Sequence, residues 1–322
     1  MVKENSTKKI TNYRLDFSII IPTKNRDKIL AHTLMYALKA TQNYKVEFLI
    51  INDGDNDIVL PNEITAAITI LKNPKSGVAS ARNFGALNAT SNHLIFMDDD
   101  MWMQPDNLLA LQQLSSTHSN CCINLNWIYP PTLSQQIKET QFGRYLEFYG
   151  FTSLKGWCKG LPWNDNELFE INGITSQFLY MHKDVWKSVN GYNENFPHAG
   201  FEDHDFAERL KKKGIIFYIY PKSYLYHNEA DRVEPKSWLA RKMRGGETRK
   251  YAVNAGYKHL ALQYNGIKIL IYNACILLKP LLFFCLTLIP NFSVFDKFYF
   301  SLINLLLGAH SFEGYTKKTK TN

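Results

Sequence analysis

The sequence has few cysteines, and their spacing matches neither a metal site nor a disulfide framework. Of the five cysteines in 322 residues, Cys121 and Cys122 are adjacent, while Cys158, Cys275 and Cys285 lie far apart. Without a CxxC pair or a metal-type Cys/His spacing, a reducing compartment is the simpler interpretation. The polar N-terminus, MVKENSTKKITNYRLDF, also lacks the apolar stretch of a secretory signal. We therefore expect a cytoplasmic location.

An uninterrupted apolar run of membrane-spanning length is also missing. Lys279 and Pro280 divide the mostly apolar stretch 267–290 into uncharged runs of ten and nine residues, whereas a transmembrane helix needs roughly 18 to 20. Just before it, residues 236–250 carry six basic side chains and one acidic side chain. We place a boundary near Lys236 and predict a helical hairpin or in-plane anchor on the inner face of an anionic membrane. A span through Lys279 and a buried helix pair are the alternatives.

The overall composition is that of a folded protein with excess positive charge. Apolar residues make up 45% of the chain, aromatic residues 14% and charged residues 20%, which excludes a disordered chain. Lys and Arg number 37 and Asp and Glu 29, a net charge of +8. Such a chain is drawn to anionic partners: nucleic acid, phosphorylated ligands or acidic lipids. Charge alone does not choose among them.

The first hundred residues alternate short apolar strands with amphipathic helices. This β-α-β rhythm predicts an α/β fold with a doubly wound, mostly parallel sheet. Beyond Asp100 the alternation of strands and helices becomes less regular. The aromatic, Gly-containing stretch 142–163 is interpreted as a substrate-contacting loop region. The predicted strands are Phe17–Ile21, Val46–Ile51, Ile68–Leu71, His93–Met97, Cys121–Ile128, 177–181 and 215–220, and the predicted helices are Asp27–Ala40 and, approximately, 76–89, 106–115 and 203–213.

Three consecutive aspartates, Asp98, Asp99 and Asp100, follow the buried strand HLIFM. They should therefore lie at a carboxyl end of the sheet, where α/β proteins bind ligands. Crowded carboxylates need a cation, and a hard divalent ion such as Mg²⁺ or Mn²⁺ binds carboxylate and phosphate oxygens together. This pattern predicts a bound diphosphate, with a solvated acidic turn or a helix cap as the alternative.

Two other acidic segments and two single residues complete the candidates. NDGDND at 52–57 follows a predicted strand and could contact a base or ribose, or be a simple turn. Arg82 could pair with a phosphate or be a surface charge. GFEDHDFAERL at 200–210 opens a helix, where one carboxylate could act as a general base or only cap the helix. His227 alone is more typical of a core histidine.

Taken together, these segments resemble glycosyltransferase family 2 over roughly residues 17 to 230. IIIPTKNR, IINDGDND, GVASARNFGALNAT, IFMDDD, NGYNENF and FEDHDFAERL occur in that family's order and spacing. The resemblance implies a GT-A fold, a nucleotide-diphosphate sugar donor with UDP-sugars favoured, and Mn²⁺ or Mg²⁺. It further implies inverting transfer to a hydroxyl of a glycan or lipid-linked acceptor, and no nucleic-acid partner. The tail resembles that of membrane-associated bacterial members that build surface polysaccharides.

The resemblance also implies a domain plan and a role for each site residue. A polar tail, 1–16, precedes a GT-A domain, 17–235, with a nucleotide-binding half to residue 100 and an acceptor half from 101; a helical region, 236–322, follows. Asn52 replaces the aspartate common in the family, which leaves the nucleotide open. The implied roles are donor binding by Pro22, Arg26, Asp53, Asp57, Arg82, Asp98 and Asp99, metal binding by Asp100 and His227, acceptor binding by Glu202 and Trp163, and general-base catalysis by Asp203.

Two other functions fit part of the pattern. A nucleotidyltransferase acting on sugar phosphates also combines an α/β fold with metal-binding aspartates, but PTKNRD stands where its Gly-rich phosphate loop would be. A catalytically silent nucleotide- or glycan-binding module would use the acidic helix start only as a cap. The intact carboxylates argue against the silent module.

Overall fold

The computed structural model of the chain describes residues 16–317, which contain a nine-stranded mixed sheet flanked by helices. The polar tail predicted at 1–16 lies almost wholly outside the described residues. The strands are β1 Phe17–Thr23, β2 Val46–Asn52, β3 Thr69–Lys72, β4 His93–Met97, β5 Met101–Trp102, β6 Cys121–Ile128, β7 Phe169–Glu170, β8 Phe178–His182 and β9 Ile216–His227. The helices are α1 Asp27–Ala40, α2 Asn62–Thr65, α3 Val78–Asn88, α4 Asn107–Thr117, α5 Pro131–Lys138, α6 Gln141–Phe148, α7 Leu154–Trp157, α8 Lys183–Lys187, α9 Glu202–Lys211, α10 Pro235–Asn254, α11 Gly266–Leu277, α12 Lys279–Leu288 and α13 Asp296–Thr316.

The apolar strand β1 lies at the centre of the parallel part of the sheet. All seven of its residues are buried, and it pairs in parallel with β2 on one side and β4 on the other. The β-branched run Ile19–Ile21 suits a strand covered by helices on both faces. Because the three strands run in the same direction, the residues that follow them meet at one edge. The predicted βαβ organisation is therefore confirmed.

The second half of the sheet is mixed. Strand β8 inserts between β4 and β6 and is antiparallel to both, whereas β9 runs parallel to β6. The full order is β3-β2-β1-β4-β8-β6-β9-β5, with β7 beside β9. The short β5 pairs with the end of β9 in the register Met101 to His227. This pairing fixes the backbone just after the three aspartates against the end of β9.

Half of the segment predicted as a loop region, 142–163, is helical, in α6 and α7, and the loop prediction is wrong for these residues. Phe142, Tyr145 and Leu146 on α6 are buried against Trp238 and Ile303 of the C-terminal helices. The side chain of Thr140 caps α6 by accepting a hydrogen bond from the Gly143 N–H at 3.0 Å. The aromatic side chains of this segment therefore pack against the C-terminal helices.

The C-terminal helices form a layer built on α10 and α13. A Cβ atom added at Gly246 would lie 2.2 Å from the carbonyl oxygen of Ser311, and one at Gly314 would lie 1.9 Å from that of Met243. The absence of a side chain thus allows α10 and α13 to touch through their backbones. Lys279, at the start of α12, pairs with Glu313 on α13 at 2.6 Å.

Within residues 16–317, no single helix has the length and hydropathy to cross a membrane. The pair α11 and α12 passes the same test only when taken together, and the two helices meet at an angle of 79°. Many of their large apolar side chains face outward, among them Leu277 at 81% exposed and Phe284 at 58%. Among the described residues, none covers this apolar surface.

The adjacent glycines of α10 give a matched test of the helix packing. We expect Gly246→Ala to lower the free energy of unfolding by about 1–3 kcal/mol, because the methyl group would force the backbones apart. Gly245→Ala is the control, since a Cβ there meets nothing within 4 Å; it should be neutral or stabilising by about 0.5–1 kcal/mol. Urea unfolding of both variants checks this, and equal effects would contradict the packing.

Candidate active site

A cleft opens at the carboxyl edge of the parallel strands, where the sequence predicted a ligand site. Most of the predicted donor-binding residues line it, together with two basic residues that the sequence reasoning missed, Lys24 and Arg232. Asp57 lies outside this cleft and lines a neighbouring groove with Asn52 and Asn56. The predicted residues that line the cleft are Pro22, Arg26, Asp53, Arg82, Asp98, Asp99 and Asp100.

Arg82 of α3 connects the two halves of the cleft. Its guanidinium group donates to Asp98 at 3.0 Å and to Glu202 at 3.0 Å, and it lies 3.7 Å from Asp203. Burial alone would lower the pKa of Arg82, but the carboxylates of Asp203 and Asp98 outweigh it and raise that pKa. Arg82 is therefore a buried charge centre, and the surface-charge alternative is wrong.

Glu202 and Asp203 open helix α9 in different environments. Glu202 is 2% exposed, and burial together with Asp203 raises the pKa of its carboxyl group to about 7. Asp203 accepts hydrogen bonds from the backbone N–H of Ser176 at 3.0 Å and from the Ser176 hydroxyl. Its side chain remains 20% exposed. Asp203 is thus oriented and accessible, whereas Glu202 faces Arg82, and its acceptor contact stays a prediction.

Asp53 and Asn52 shape the loop after β2. Asp53 accepts hydrogen bonds from the Asn73 amide at 2.7 Å and the Gly77 N–H at 2.8 Å. Asn52 accepts from the Gly54 N–H at 2.9 Å and donates to the Asn56 carbonyl at 2.8 Å. An ionised aspartate could not make that donation. The departure at Asn52 therefore has a structural reason, and nucleoside contacts by Asp53 and Asp57 stay predictions.

Asp99, the middle aspartate, points into the protein. It accepts a hydrogen bond from Thr23 at 2.6 Å and pairs with Arg26. Burial and the neighbouring Asp100 raise the pKa of Asp99 to about 7. Asp99 is 5% exposed, so the structure gives it a role in orienting Arg26. Its contact with the donor stays a prediction.

Asp100 has one oxygen bound by arginines and one left open. Its Oδ2 accepts from both terminal nitrogens of Arg26 at 3.1 Å and lies 3.3 Å from Arg232. Its Oδ1 is buried, has no well-aligned hydrogen bond, and lies 3.3 Å from Nε2 of His227. Burial would raise the pKa of Asp100, but His227 and the arginines hold it well below the usual range.

His227 is connected to the C-terminal layer through Glu229. Its Nε2 lies 3.9 Å from Oε1 of Glu229, and its ring packs against Trp127 at 4.8 Å between centroids. Glu229 is 1% exposed and accepts from Tyr129 at 2.8 Å and from Arg241 of α10 at 2.9 Å. His227 is buried, as the core-histidine alternative expects, but it also lies beside two charged residues, Asp100 and Glu229. The charged segment EADR, residues 229–232 after β9, could have signalled Glu229, whereas nothing local signals Arg241.

The residues near Asp100 fit part of a metal site. Among residues 16–317, no group of three or more His, Cys, Asp or Glu side chains is arranged to hold a metal ion. Asp100 Oδ1 and His227 Nε2 offer two adjacent ligands, an oxygen without a hydrogen-bond partner and an imidazole nitrogen. These are donors that Mn²⁺ accepts. The remaining ligands would have to come from a substrate or water.

Trp163, the other predicted acceptor residue, does not line the cleft. Its indole N–H donates to Asp165 at 2.8 Å, and its ring packs edge-on against Phe169 at 5.2 Å. The sequence reasoning missed Ser176, which donates to Asp203, and Tyr192, whose hydroxyl lies 2.7 Å from that of Ser176. Tyr192 lies in the NGYNENF segment, while Ser176 gave no signal in the sequence.

Comparison with known proteins agrees with this geometry. Residues 18–160 match the model of glycosyl transferase family 2, and residues 167–231 match that of the N-terminal domain of galactosyltransferase. Residues 18–160 thus form a family 2 glycosyltransferase domain. This first match covers β1 to α7, with the aspartate cluster, and the second match covers β7 to the loop after β9, with Asp203 and His227.

Curated relatives align with this chain over only part of their own length. Chondroitin synthase of Pasteurella multocida is 27% identical over 266 residues, which are 71% of this chain and 27% of that protein. Chondroitin synthase of Escherichia coli is 25% identical over 68% of this chain and 37% of its own length. An uncharacterized glycosyltransferase of Haemophilus influenzae is 27% identical over 60% of this chain and 61% of its own length. The chain thus spans less than two thirds of each of these relatives.

Solved structures confirm the GT-A fold of the domain. The mannosyltransferase PcManGT from Pyrobaculum calidifontis, in complex with GDP-Man and Mn²⁺, superposes with a TM-score of 0.53 at 12% identity, covering 96% of this chain and 89% of that one. GalNAc-T7 with UDP, GalNAc and Mn²⁺ gives 0.51 at 15% identity, covering 66% and 43%. At this identity the likeness concerns the fold alone.

Removing the Arg82 charge should cost far more stability than removing a surface charge. Arg82→Met would leave Asp98, Glu202 and Asp203 without their cation, and we expect a loss of about 3–5 kcal/mol. Lys75→Met is the matched control, because Lys75 pairs with Glu194 at 3.1 Å while 56% exposed; it should cost at most about 1 kcal/mol. Chemical denaturation measures both, and similar losses would sink the charge-centre assignment.

Proposed function

We propose that the chain is an inverting glycosyltransferase that moves a sugar from a nucleotide-diphosphate sugar to a hydroxyl group of a glycan or lipid-linked acceptor. The observation that carries this proposal is the Arg82 connection between Asp98, on the predicted donor side, and Asp203, on the predicted acceptor side. One guanidinium group spans the two, so a donor beside Asp98 would present its sugar within reach of Asp203. The family membership of the domain supports the same reaction.

In the proposed mechanism Asp203 is the general base. Its two hydrogen bonds from Ser176 fix the carboxylate, while its side chain stays 20% exposed and lies 3.7 Å from Arg82, which lines the cleft. Asp203 would take the proton from the acceptor hydroxyl as that oxygen attacks the anomeric carbon, and the nucleotide diphosphate would leave from the opposite face. The configuration at the anomeric carbon is then inverted.

A divalent cation fits this reaction, and Asp100 Oδ1 and His227 Nε2 would hold it. When bound, such an ion neutralises the charge that grows on the leaving diphosphate. Asp99, which accepts a hydrogen bond from Thr23, holds Arg26 beside Asp100. The Arg26 guanidinium group therefore adds positive charge next to the position proposed for the cation. Both GT-A structures named above were solved with Mn²⁺, which supports Mn²⁺ as the first ion to test.

The donor nucleotide and the acceptor are proposed from the relatives. One structural neighbour holds UDP and another GDP-Man, and Asn52 departs from the family pattern, so UDP- and GDP-sugars are the two donors to compare. Two of the curated relatives are bacterial chondroitin synthases. An acceptor glycan of a bacterial surface polysaccharide is the consistent proposal.

The general base can be tested separately from donor binding. Asp203→Asn keeps the size of the side chain but cannot accept the proton, so transfer should fall by at least about 100-fold. Donor affinity with Mn²⁺, measured by thermal shift over a panel of UDP- and GDP-sugars, should be retained. Asp184→Asn, at an exposed carboxylate of α8, is the control and should transfer normally. Full transfer by Asp203→Asn would refute the base assignment.

We also propose that the α11–α12 surface lies on an anionic membrane with the rest of the chain on the cytoplasmic side. Between residues 264 and 298 the only acidic residue is Asp296, which Arg144 neutralises at 2.7 Å. The exposed Lys268, by contrast, lies 4.6 Å from the Tyr264 ring, and Lys236 lies 5.7 Å from the Phe283 ring. An apolar face edged by lysines suits acidic headgroups, and the 79° bend favours an in-plane position.

Outward-facing side chains allow this placement to be tested without disturbing the core. The double variant Leu277→Ser and Phe284→Ser should bind vesicles of phosphatidylglycerol and phosphatidylcholine at least about tenfold more weakly, because two apolar anchors are removed. Leu87→Ser, at a 65% exposed position of α3, is the control. Flotation assays measure the binding, and unchanged flotation of the double variant would count against the membrane placement.

A further inference from the structure

Hydrogen bonds fix the start of the loop after β9, and Arg232 of this loop lines the cleft. The N–H of Asn228 donates to the carbonyl oxygen of Asp100 at 2.8 Å, and that of Arg232 donates to the carbonyl oxygen of Glu229 at 2.7 Å. Glu229 is buried and bonded to Tyr129 and Arg241. The turn therefore has a fixed origin, and it places Arg232 in the cleft and Asp231 in the neighbouring groove.

Two arginines share the carboxylate of Asp100, and they are not held equally. Arg26 also pairs with Asp99 and with both oxygens of Asp231, at 3.0 and 3.1 Å, and its side chain is 13% exposed. Arg232 has Asp100 at 3.3 Å and only a distant contact, 3.9 Å, with Asp231, and it is 34% exposed. Asp100 is thus the principal partner of Arg232.

A divalent cation on Asp100 would change the balance between the two arginines. A doubly charged ion and two guanidinium groups at one carboxylate repel one another at short range. Arg26 would keep Asp99 and Asp231 as partners, whereas Arg232 would lose its principal anion. Arg232 lines the cleft beside Lys24 and Asp98, where the incoming negative charge is that of the donor.

We infer that Arg232 binds the diphosphate of the nucleotide donor, having been displaced from Asp100 by the divalent cation; this rests on the proposed function. A planar guanidinium group makes paired hydrogen bonds to phosphate oxygens, which suits a diphosphate at this position. Arg232 is then a specificity residue that distinguishes nucleoside diphosphates from monophosphates. Its guanidinium group, 3.3 Å from Asp100, would compete there with the charge of the cation.

The inference requires that Arg232→Met change two affinities in opposite directions. Mn²⁺ alone should bind more tightly, because a competing positive charge has left Asp100. UDP or GDP, whichever the wild-type chain binds in Mn²⁺, should bind roughly 10- to 100-fold more weakly, the effect of losing a hydrogen bond to a charged group. The corresponding monophosphate should change by less than about threefold. Arg232→Lys should recover part of the diphosphate affinity.

The measurements are Mn²⁺ titration by electron paramagnetic resonance and nucleotide titration by calorimetry, with thermal unfolding to confirm the fold. Arg244→Met, at an exposed residue of α10, is the matched control. If Arg232→Met weakened Mn²⁺ and the nucleotides alike, or left the diphosphate affinity unchanged, the inference would be overturned. If the wild-type chain bound Mn²⁺ but no nucleoside diphosphate, the proposed function itself would fail.

Discussion

The compensation of buried carboxylates by arginine is the interaction on which the candidate site depends. Asp98, Glu202 and Asp203 surround Arg82, while Asp99 and Asp100 surround Arg26. A carboxylate removed from water is costly unless a charge or hydrogen bond replaces the solvent. Two guanidinium groups therefore allow five acids to stand at one edge of the sheet, and the geometry of the cleft follows from where those two groups are held.

The sequence predicted the regular elements well where the hydrophobic period was strong. Asp27–Ala40, His93–Met97 and Cys121–Ile128 have the predicted bounds because each combines a clear period with a polar end. Strand β9 runs seven residues beyond its predicted end at 220, past Pro221, and its pairing with β6 shifts register beside that proline. A local pattern does not reveal such an irregularity, because the partner strand stabilises it.

The acidic clusters of the site, together with Arg26 and Arg82, were predictable from the sequence, whereas Lys24, Arg232 and Arg241 were not. Acidic clusters after strands are visible in the sequence because parallel strands end at one edge. Arg232 and Arg241, by contrast, act through partners 132 and 12 residues away, Asp100 and Glu229, and nothing local marks them. The aromatic stretch around Phe142 was misinterpreted for the same reason, since the helices that cover it lie more than 90 residues further along the chain.

The Arg241–Glu229 ion pair has a consequence for how the C-terminal helices and the domain can be separated. Arg241 belongs to α10, yet its partner lies beside His227. A chimera that exchanged everything after residue 235 for another tail would leave the Glu229 carboxylate without its arginine, with only the Tyr129 hydroxyl and His227 as neighbours. The C-terminal helices are thus joined to the rest of the chain by an ion pair as well as by apolar packing, and a replacement tail must bring its own cation to that position.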